Sequence, residues 1–206
     1  MLTSTEYLLI LAGYFLGCVT AGYYVVRFLH GTDIRHQGSG NVGARNVGRV
    51  AGPVAGVATF LVDFGKGALA VWLAGHFESR PLAVIGVILA VAAGHIWPIQ
   101  LRFHGGKGAA TALGALLTYE WPTLIIIAAL FITIFIFLRN FTLAGLLGFT
   151  FCPLGMMAMN ADPMKILGVI ALTVLVLWAH RKTIREEIVE MAMRRHSKRM
   201  KEETHE

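Results

Sequence analysis

The chain reads as a series of long apolar runs separated by short polar segments. Residues 7–26 contain no charge over twenty positions, and Arg27 is the first basic residue. Further runs occupy 50–75 (interrupted by Asp63 and Lys66), 81–101, 121–138, 140–161 and 163–179. A membrane-crossing helix needs about 20 mostly apolar residues, so each run is a candidate span. Lys165 can snorkel from the end of the last one. A seventh run, 108–119, is apolar but short.

The basic residues decide how that short run is read. With seven crossings, fifteen of the eighteen Lys and Arg fall on one side, Arg80 and Lys165 on the other, and Lys66 lies within the bilayer. Were 108–119 a re-entrant loop, the basic tail would emerge opposite the basic 27–49 loop. The positive-inside bias therefore favours a crossing, and it places the N-terminus outside and the C-terminus in the cytoplasm. No basic residue precedes the first run, so it reads as a span rather than a secretory signal. The expectation is an all-α membrane protein of about seven transmembrane helices. Residues 1–180 form one polytopic domain and 181–206 a basic cytoplasmic tail. Ile184, Ile188 and Met191 recur at helical spacing in that tail. The pattern suits an amphipathic helix on an anionic leaflet and equally a solvated helical tail.

Composition agrees with a membrane chain. Of the 206 residues 56% are hydrophobic and 15% charged, and the mean hydropathy is +0.65. Soluble domains average roughly 45–50% and 25%, and disorder needs low hydrophobicity. The net charge of +6 is accounted for by topology, so no nucleic-acid partner is expected. Cys18 and Cys152 sit in apolar runs with no metal or disulfide spacing. Glycine is abundant at 23 residues. Gly13 and Gly17 form the small-xxx-small spacing that lets helices approach closely.

Four polar clusters fall on or near the inner side. The first is Gly38-Ser39-Gly40-Asn41-Val42-Gly43-Ala44-Arg45-Asn46, followed by Arg49. It contains GxGxxG, yet the dinucleotide reading needs a preceding strand, which a membrane helix and a short linker do not supply. What survives is anion chemistry. Glycines allow nests of N–H groups, Ser39, Asn41 and Asn46 add donors, and arginine can grip a phosphate as a fork. A flexible loop with topological arginines is the alternative.

The second cluster, Gly105-Gly106-Lys107-Gly108 leading to Thr111, lacks the Walker A spacing. It puts a lysine among glycines at a helix N-terminus, a compact anion site. Just upstream, His95 in Gly94-His95-Ile96-Trp97-Pro98 fits a ligand or an interfacial histidine. The third is Asp63-Phe64-Gly65-Lys66-Gly67, in which Asp63 and Lys66 share a helix face. They make a structural ion pair or a substrate contact, since ionisable groups at that depth tend to be functional. The fourth is His180-Arg181 at the end of the last span, with Thr183 just beyond. Together the clusters supply donors and cations with almost no carboxylates, so the site binds anions, phosphates above all. No metal or cofactor is expected, and no HxxxxD acyltransferase pattern is present.

At these residues the chain resembles the integral-membrane acyl-phosphate:glycerol-3-phosphate acyltransferases of bacteria, the PlsY family. The resemblance spans essentially the whole chain. The family's GSGNxGATN plus arginine matches 38–46 and Arg49, and its DxxKG matches 63–67. Its GHxxP and GGKGxAT match 94–98 and 105–111, and its HRxN is half matched by His180-Arg181. Arg45 stands where that pattern has threonine, and Thr183 where it has asparagine.

The resemblance implies acyl transfer from acyl phosphate to the sn-1 hydroxyl of glycerol 3-phosphate at the bacterial inner membrane, giving lysophosphatidic acid and phosphate. It implies catalytic roles for Ser39, Arg49, Lys107 and His180. The binding set comprises Gly38, Gly40, Asn41, Gly43, Arg45, Asn46, Asp63, Lys66, His95, Gly105, Gly106, Gly108, Thr111, Arg181 and Thr183. A functional link to the enzyme that forms acyl phosphate follows. Two alternatives are a transporter of a phosphorylated solute and a family member with altered catalysis.

Overall fold

A computed structural model describes residues 2–77 and 79–203, with side chains described to Met193. These residues hold nine α-helices and no strand: α1 (Ser4–Cys18), α2 (Ala21–His30), α3 (Ala44–Ala51), α4 (Pro53–His76), α5 (Pro81–Ile96), α6 (Ala109–Tyr119), α7 (Pro122–Leu138), α8 (Phe141–Ala158) and α9 (Pro163–Glu203). Five stretches are long and apolar enough to cross a membrane: Ser4–His30, Pro53–His76, Pro81–Leu101, Phe141–Ala158 and Pro163–Met193. Ala109–Tyr119 and Pro122–Leu138 are apolar but shorter. The largest core cluster joins α5, α6, α8 and α9 around Ile88, Leu116, Phe149 and Leu172.

The first apolar run is not one helix. It breaks between Cys18 and Ala21. A break at membrane depth strands the last carbonyls of the first helix, which must find other donors. Here they come from far along the chain. Lys66 Nζ donates to Gly17 O at 3.0 Å and to Val19 O at 2.7 Å, and Gln100 Nε2 donates to Cys18 O. The second run is also divided. Gly52, at φ +90°, separates α3 from α4, and Pro53 starts α4, where a missing N–H is harmless.

Close helix contacts explain part of the glycine content. A Cβ at Gly17 would stand 2.2 Å from Val91 O, and one at Gly94 would stand 2.0 Å from Tyr14 O, so α1 and α5 meet backbone to backbone. Gly67 and Gly114 do the same between α4 and α6, at 2.1 Å from Thr111 O and 1.8 Å from Phe64 O. Gly13 makes only ordinary contact with Val87. Replacing Gly94 by alanine is expected to destabilise the protein by about 1–3 kcal/mol through overpacking. Gly65→Ala, with open space around it, should be neutral or stabilising. Thermal unfolding in detergent compares the two.

α6 is short for a positional reason. Its first residues share a cavity with Asp63. Asp63 lies ten residues into α4, about 15 Å along the helix at about 1.5 Å per residue. The helix therefore begins inside the bundle, at the floor of a recess. α9 has 41 residues and runs about 60 Å, roughly twice a hydrocarbon core. It continues past residue 180 without a break. Ile184 packs on the main core and Ile188 is exposed. The side chains of Arg194, Arg195, Lys198, Arg199 and Lys201 lie outside the described ones.

Candidate active site

The first glycine cluster is a loop held by one asparagine. Asn46, buried in α3, accepts the Ser39 N–H through Oδ1 at 2.9 Å. Its Nδ2 donates to Gln37 O and Asn41 O, each at 2.9 Å. Gly38 and Gly40 have φ of +56° and +70°, which only glycine adopts cheaply. A Cβ on Gly38 would also stand 2.2 Å from Asn46 Oδ1. Arg35 then fastens this loop to the next one. It pairs with Asp33 at 2.6 Å and donates to Leu101 O at 3.0 Å. The guanidinium holds the Asp33 carboxyl below the usual carboxylate range. Asn46→Ala removes three bonds at once and should lower kcat/KM by about 10²-fold, as positioning losses do. Initial rates at varied acceptor check this; a change under threefold would contradict it.

The second cluster is tied to the end of α5. Gly105 N–H donates to Ile96 O at 3.1 Å, and Gly106 N–H to His95 O at 3.0 Å. Gly105 and Gly106, expected in the binding set, thus have both amide donors taken by the protein. Donors remain in the first turn of α6, where the N–H groups of residues 109–111 have no helical partner and Gly108 caps without a side-chain bond. Lys107 reaches out of this turn and donates to Thr183 Oγ1 of α9.

Two cavities open from the recess, and they differ in character. The first, of about 720 Å³, is lined by Arg35, Arg102, Lys107, Arg181 and Lys182, with His36, His104, Ser39, Gly40 and Asn41. Trp97 and Trp178 form its aromatic side, in edge contact at 5.1 Å, and the Arg181 guanidinium lies over Trp178 at 3.9 Å. The second, of about 550 Å³, is mostly apolar: Phe60, Ala109, Ala110, Leu113 and Phe141, with Arg45, Asp63 and His95 at its polar edge. Lys107 and Asn41 line both.

The expected site residues divide accordingly. Ser39, Gly40, Asn41, Gly105, Gly106, Lys107 and Arg181 gather on the cationic cavity. Gly43, Arg45, Asp63, His95 and Gly108 gather on the apolar one. Arg45 is bonded to Thr142 Oγ1 at 2.7 Å and lies over the Phe141 ring. Gly38 and Asn46 shape the loop without lining either cavity. Thr111 is fully buried, its hydroxyl without a partner. Arg49, one turn beyond Arg45, is exposed and lines neither cavity. His180 is buried behind the cationic cavity and donates through Nδ1 to Val176 O at 2.8 Å, which leaves Nε2 as an acceptor. Arg35 and Arg102, expected on topology alone, also line the cationic cavity. Phe60, Leu113 and Phe141 line the apolar cavity with no signal in the sequence, because their apolar character blends into any span.

Asp63, Lys66 and His95 form a buried group beneath the apolar cavity. Lys66 Nζ lies 2.7 Å from Asp63 Oδ1 and 2.7 Å from His95 Nδ1. It lines neither cavity, so its contacts are the two side chains and the α1 carbonyls. A buried ion pair needs further hydrogen bonds to offset its desolvation, and Lys66 makes them to Gly17 O, Val19 O and His95 Nδ1.

Three comparisons with known proteins show what this chain is similar to. The family model described as glycerol-3-phosphate acyltransferase matches residues 7–189. A protein named glycerol-3-phosphate acyltransferase 1 from Desulfitobacterium hafniense (strain Y51) is 39% identical over 187 residues, covering 91% of this chain and 93% of its own. A glycerol-3-phosphate acyltransferase from Parasynechococcus marenigrum (strain WH8102) is 37% identical over 180 residues, covering 87% and 85%. A crystal structure of PlsY (YgiH), an integral membrane glycerol 3-phosphate acyltransferase in its glycerol 3-phosphate form, superposes with a TM-score of 0.83. It is 29% identical, with 91% of this chain and 94% of that one covered. Its lysophosphatidic acid form gives 0.81 at 27% identity, with the same coverage. A family model over residues 7–189 and relatives 37–39% identical over most of the chain show that this chain belongs to the glycerol-3-phosphate acyltransferase family.

Proposed function

We propose that this acyltransferase moves a fatty acyl group from an acyl phosphate to the sn-1 hydroxyl of glycerol 3-phosphate. The products are lysophosphatidic acid and inorganic phosphate, and the reaction opens phospholipid synthesis. The observation that carries the reading is the pair of cavities meeting at Lys107, one cationic and one apolar. A polar phosphorylated acceptor suits the first, and an acyl chain with a phosphate head suits the second with its head at Lys107.

An acyl phosphate is a mixed anhydride with a good leaving group, so no covalent enzyme intermediate is required. Positioning and charge stabilisation are enough. Ser39, Lys107 and the first-turn amides of α6 hold phosphate; Arg49, exposed and lining neither cavity, is given no contact with it. His180 Nε2, as an acceptor, and Thr183 orient the glycerol moiety. Thr183 already bonds Lys107, so a hydroxyl at this position keeps the lysine aimed between the cavities. In the step itself the glycerol oxygen bonds to the acyl carbon and the bond to phosphate breaks. The leaving phosphate carries off the electron pair and the hydroxyl proton.

The proposed topology is seven crossings of the bacterial inner membrane, N-terminus outside and the site on the cytoplasmic side. Two features support it: the distribution of Lys and Arg, and a recessed α6 that needs fewer residues to reach the far end. The acyl chain enters laterally from the bilayer. The enzyme that makes acyl phosphate is the functional partner. Palmitoyl phosphate and palmitoyl-coenzyme A, offered separately with labelled glycerol 3-phosphate, test the donor. Product from the phosphate alone is expected; product from the thioester alone would contradict the reading. Uptake of the same label into proteoliposomes without product would establish the transporter alternative instead.

A further inference from the structure

His95 sits one residue from the end of α5 and is 3% exposed. Its Nδ1 lies 2.7 Å from Lys66 Nζ. The same ammonium also serves Asp63 Oδ1, Val19 O and Gly17 O. Three hydrogens for four acceptors means that one is shared. An ammonium only donates. A protonated Nδ1 at 2.7 Å would set one N–H against another, so Nδ1 must be the acceptor. The ring hydrogen is then on Nε2. The 3.4 Å between Nδ1 and Asp63 Oδ1 is bridged by the ammonium, which bonds both.

Nε2 faces Gly106. A Cβ on that glycine would stand 2.0 Å from it, so the absent side chain is what leaves Nε2–H a path outward. No group among the described residues accepts from it. The ring lines the apolar cavity beside Lys107 and Gly108, where the acyl phosphate head is placed above.

We infer that His95, held as the neutral Nε2–H tautomer, donates a hydrogen bond to the carbonyl oxygen of the acyl donor, and that Lys66 and Asp63 are positioning residues that fix this tautomer. The inference rests on the acyl-donor reading of that cavity. As the glycerol oxygen bonds to the acyl carbon, the carbonyl electrons move onto its oxygen, and Nε2–H meets the growing charge. When the carbonyl re-forms, the bond to phosphate breaks, and phosphate leaves with the electron pair and the hydroxyl proton. His95 neither takes nor releases a proton during turnover. A neutral imidazole is suited to this role, because its N–H polarises a carbonyl without protonating it.

The test uses the full chain in detergent with palmitoyl phosphate and glycerol 3-phosphate. His95→Ala and His95→Asn should lower kcat by about 10²-fold or more, the usual loss for one such donor. KM for glycerol 3-phosphate should stay within about threefold, because His95 contacts the acyl donor and its hydrogen bond strengthens in the transition state. His95→Gln, whose amide N–H reaches near the Nε2 position, should recover about tenfold of the loss. A merely structural role would not separate Gln from Asn in kcat at equal melting temperature.

Nitrogen-15 NMR of histidine-labelled wild type needs no variant to fold. It should show an Nε2–H ring for His95, assigned by its loss in His95→Gln. An Nδ1–H or doubly protonated ring in wild type would overturn the inference, as would His95→Ala turning over within threefold of an active wild type. An inactive wild type would sink the acyl-donor reading and this inference with it.

Discussion

Replacing Lys107 with alanine is expected to lower kcat by about 10³-fold, the upper range for losing one preorganised donor to developing charge. The protein should keep its melting temperature within about 3 °C. Both halves follow from its position. Lys107 is half-buried and makes one side-chain bond to the protein, to Thr183, so little stability depends on it. Among the described residues it is also the one ammonium that lines both cavities, so both phosphates meet it.

Burial, the larger effect, pulls the Lys107 ammonium below the ordinary lysine value of 10.5, although Glu186 and Glu187 oppose it. The charged form is the one that binds phosphate. Activity of the free enzyme, read as kcat/KM, is therefore present at neutral pH and falls as pH rises through that lowered value. Lys107→Arg keeps its charge at any accessible pH, so its alkaline limb should move upward even though the different head shape reduces the rate. Wild-type kcat in Lys107→Ala, or an unmoved limb in Lys107→Arg, would contradict this account.

The second large effect concerns stability. Lys66→Met should destabilise the protein by about 3–5 kcal/mol, the usual loss when one partner of a buried pair is removed. Asp63 is 1% exposed and Lys66 5%, so the carboxylate left behind is almost wholly removed from water. Gly17 O and Val19 O lose their donor at the same time, and they lie at a helix break where nothing else replaces it. The Asp63→Asn/Lys66→Met double variant removes the stranded charge and should be less destabilised than Lys66→Met alone. Unfolding of wild type, Lys66→Met and the double variant in mixed micelles measures the difference. A Lys66→Met variant within 1 kcal/mol of wild type would show the pair to be dispensable.

These two lysines also show what sequence reading reached. Lys107 was legible because glycines around a lysine at the start of an apolar run leave little but anion binding. Lys66 was legible as important but not in kind. Its role depends on the break after Cys18, and nothing within 7–26 marks that break. The donors that permit it, Lys66 and Gln100, come from other helices, and such long-range satisfaction has no local pattern. The same holds for Gly105 and Gly106. Their place beside Lys107 suggested a compact anion site, yet the fold turns both amides onto α5 carbonyls. The apolar runs that became α4, α5, α7 and α8 were legible because a span must be apolar along its length. The brevity of α6 made sense only once its start was seen at the floor of a recess. Arg35 was hidden for the opposite reason, since a cytoplasmic arginine is expected on topology alone.

The most direct measurement of the central claim follows both products of one turnover. Purified wild type receives palmitoyl phosphate and glycerol 3-phosphate carrying labelled phosphorus. The account predicts lysophosphatidic acid containing all the label that reacts, with unlabelled inorganic phosphate released in equal amount. Labelled inorganic phosphate, or phosphate released without lysophosphatidic acid, would contradict it.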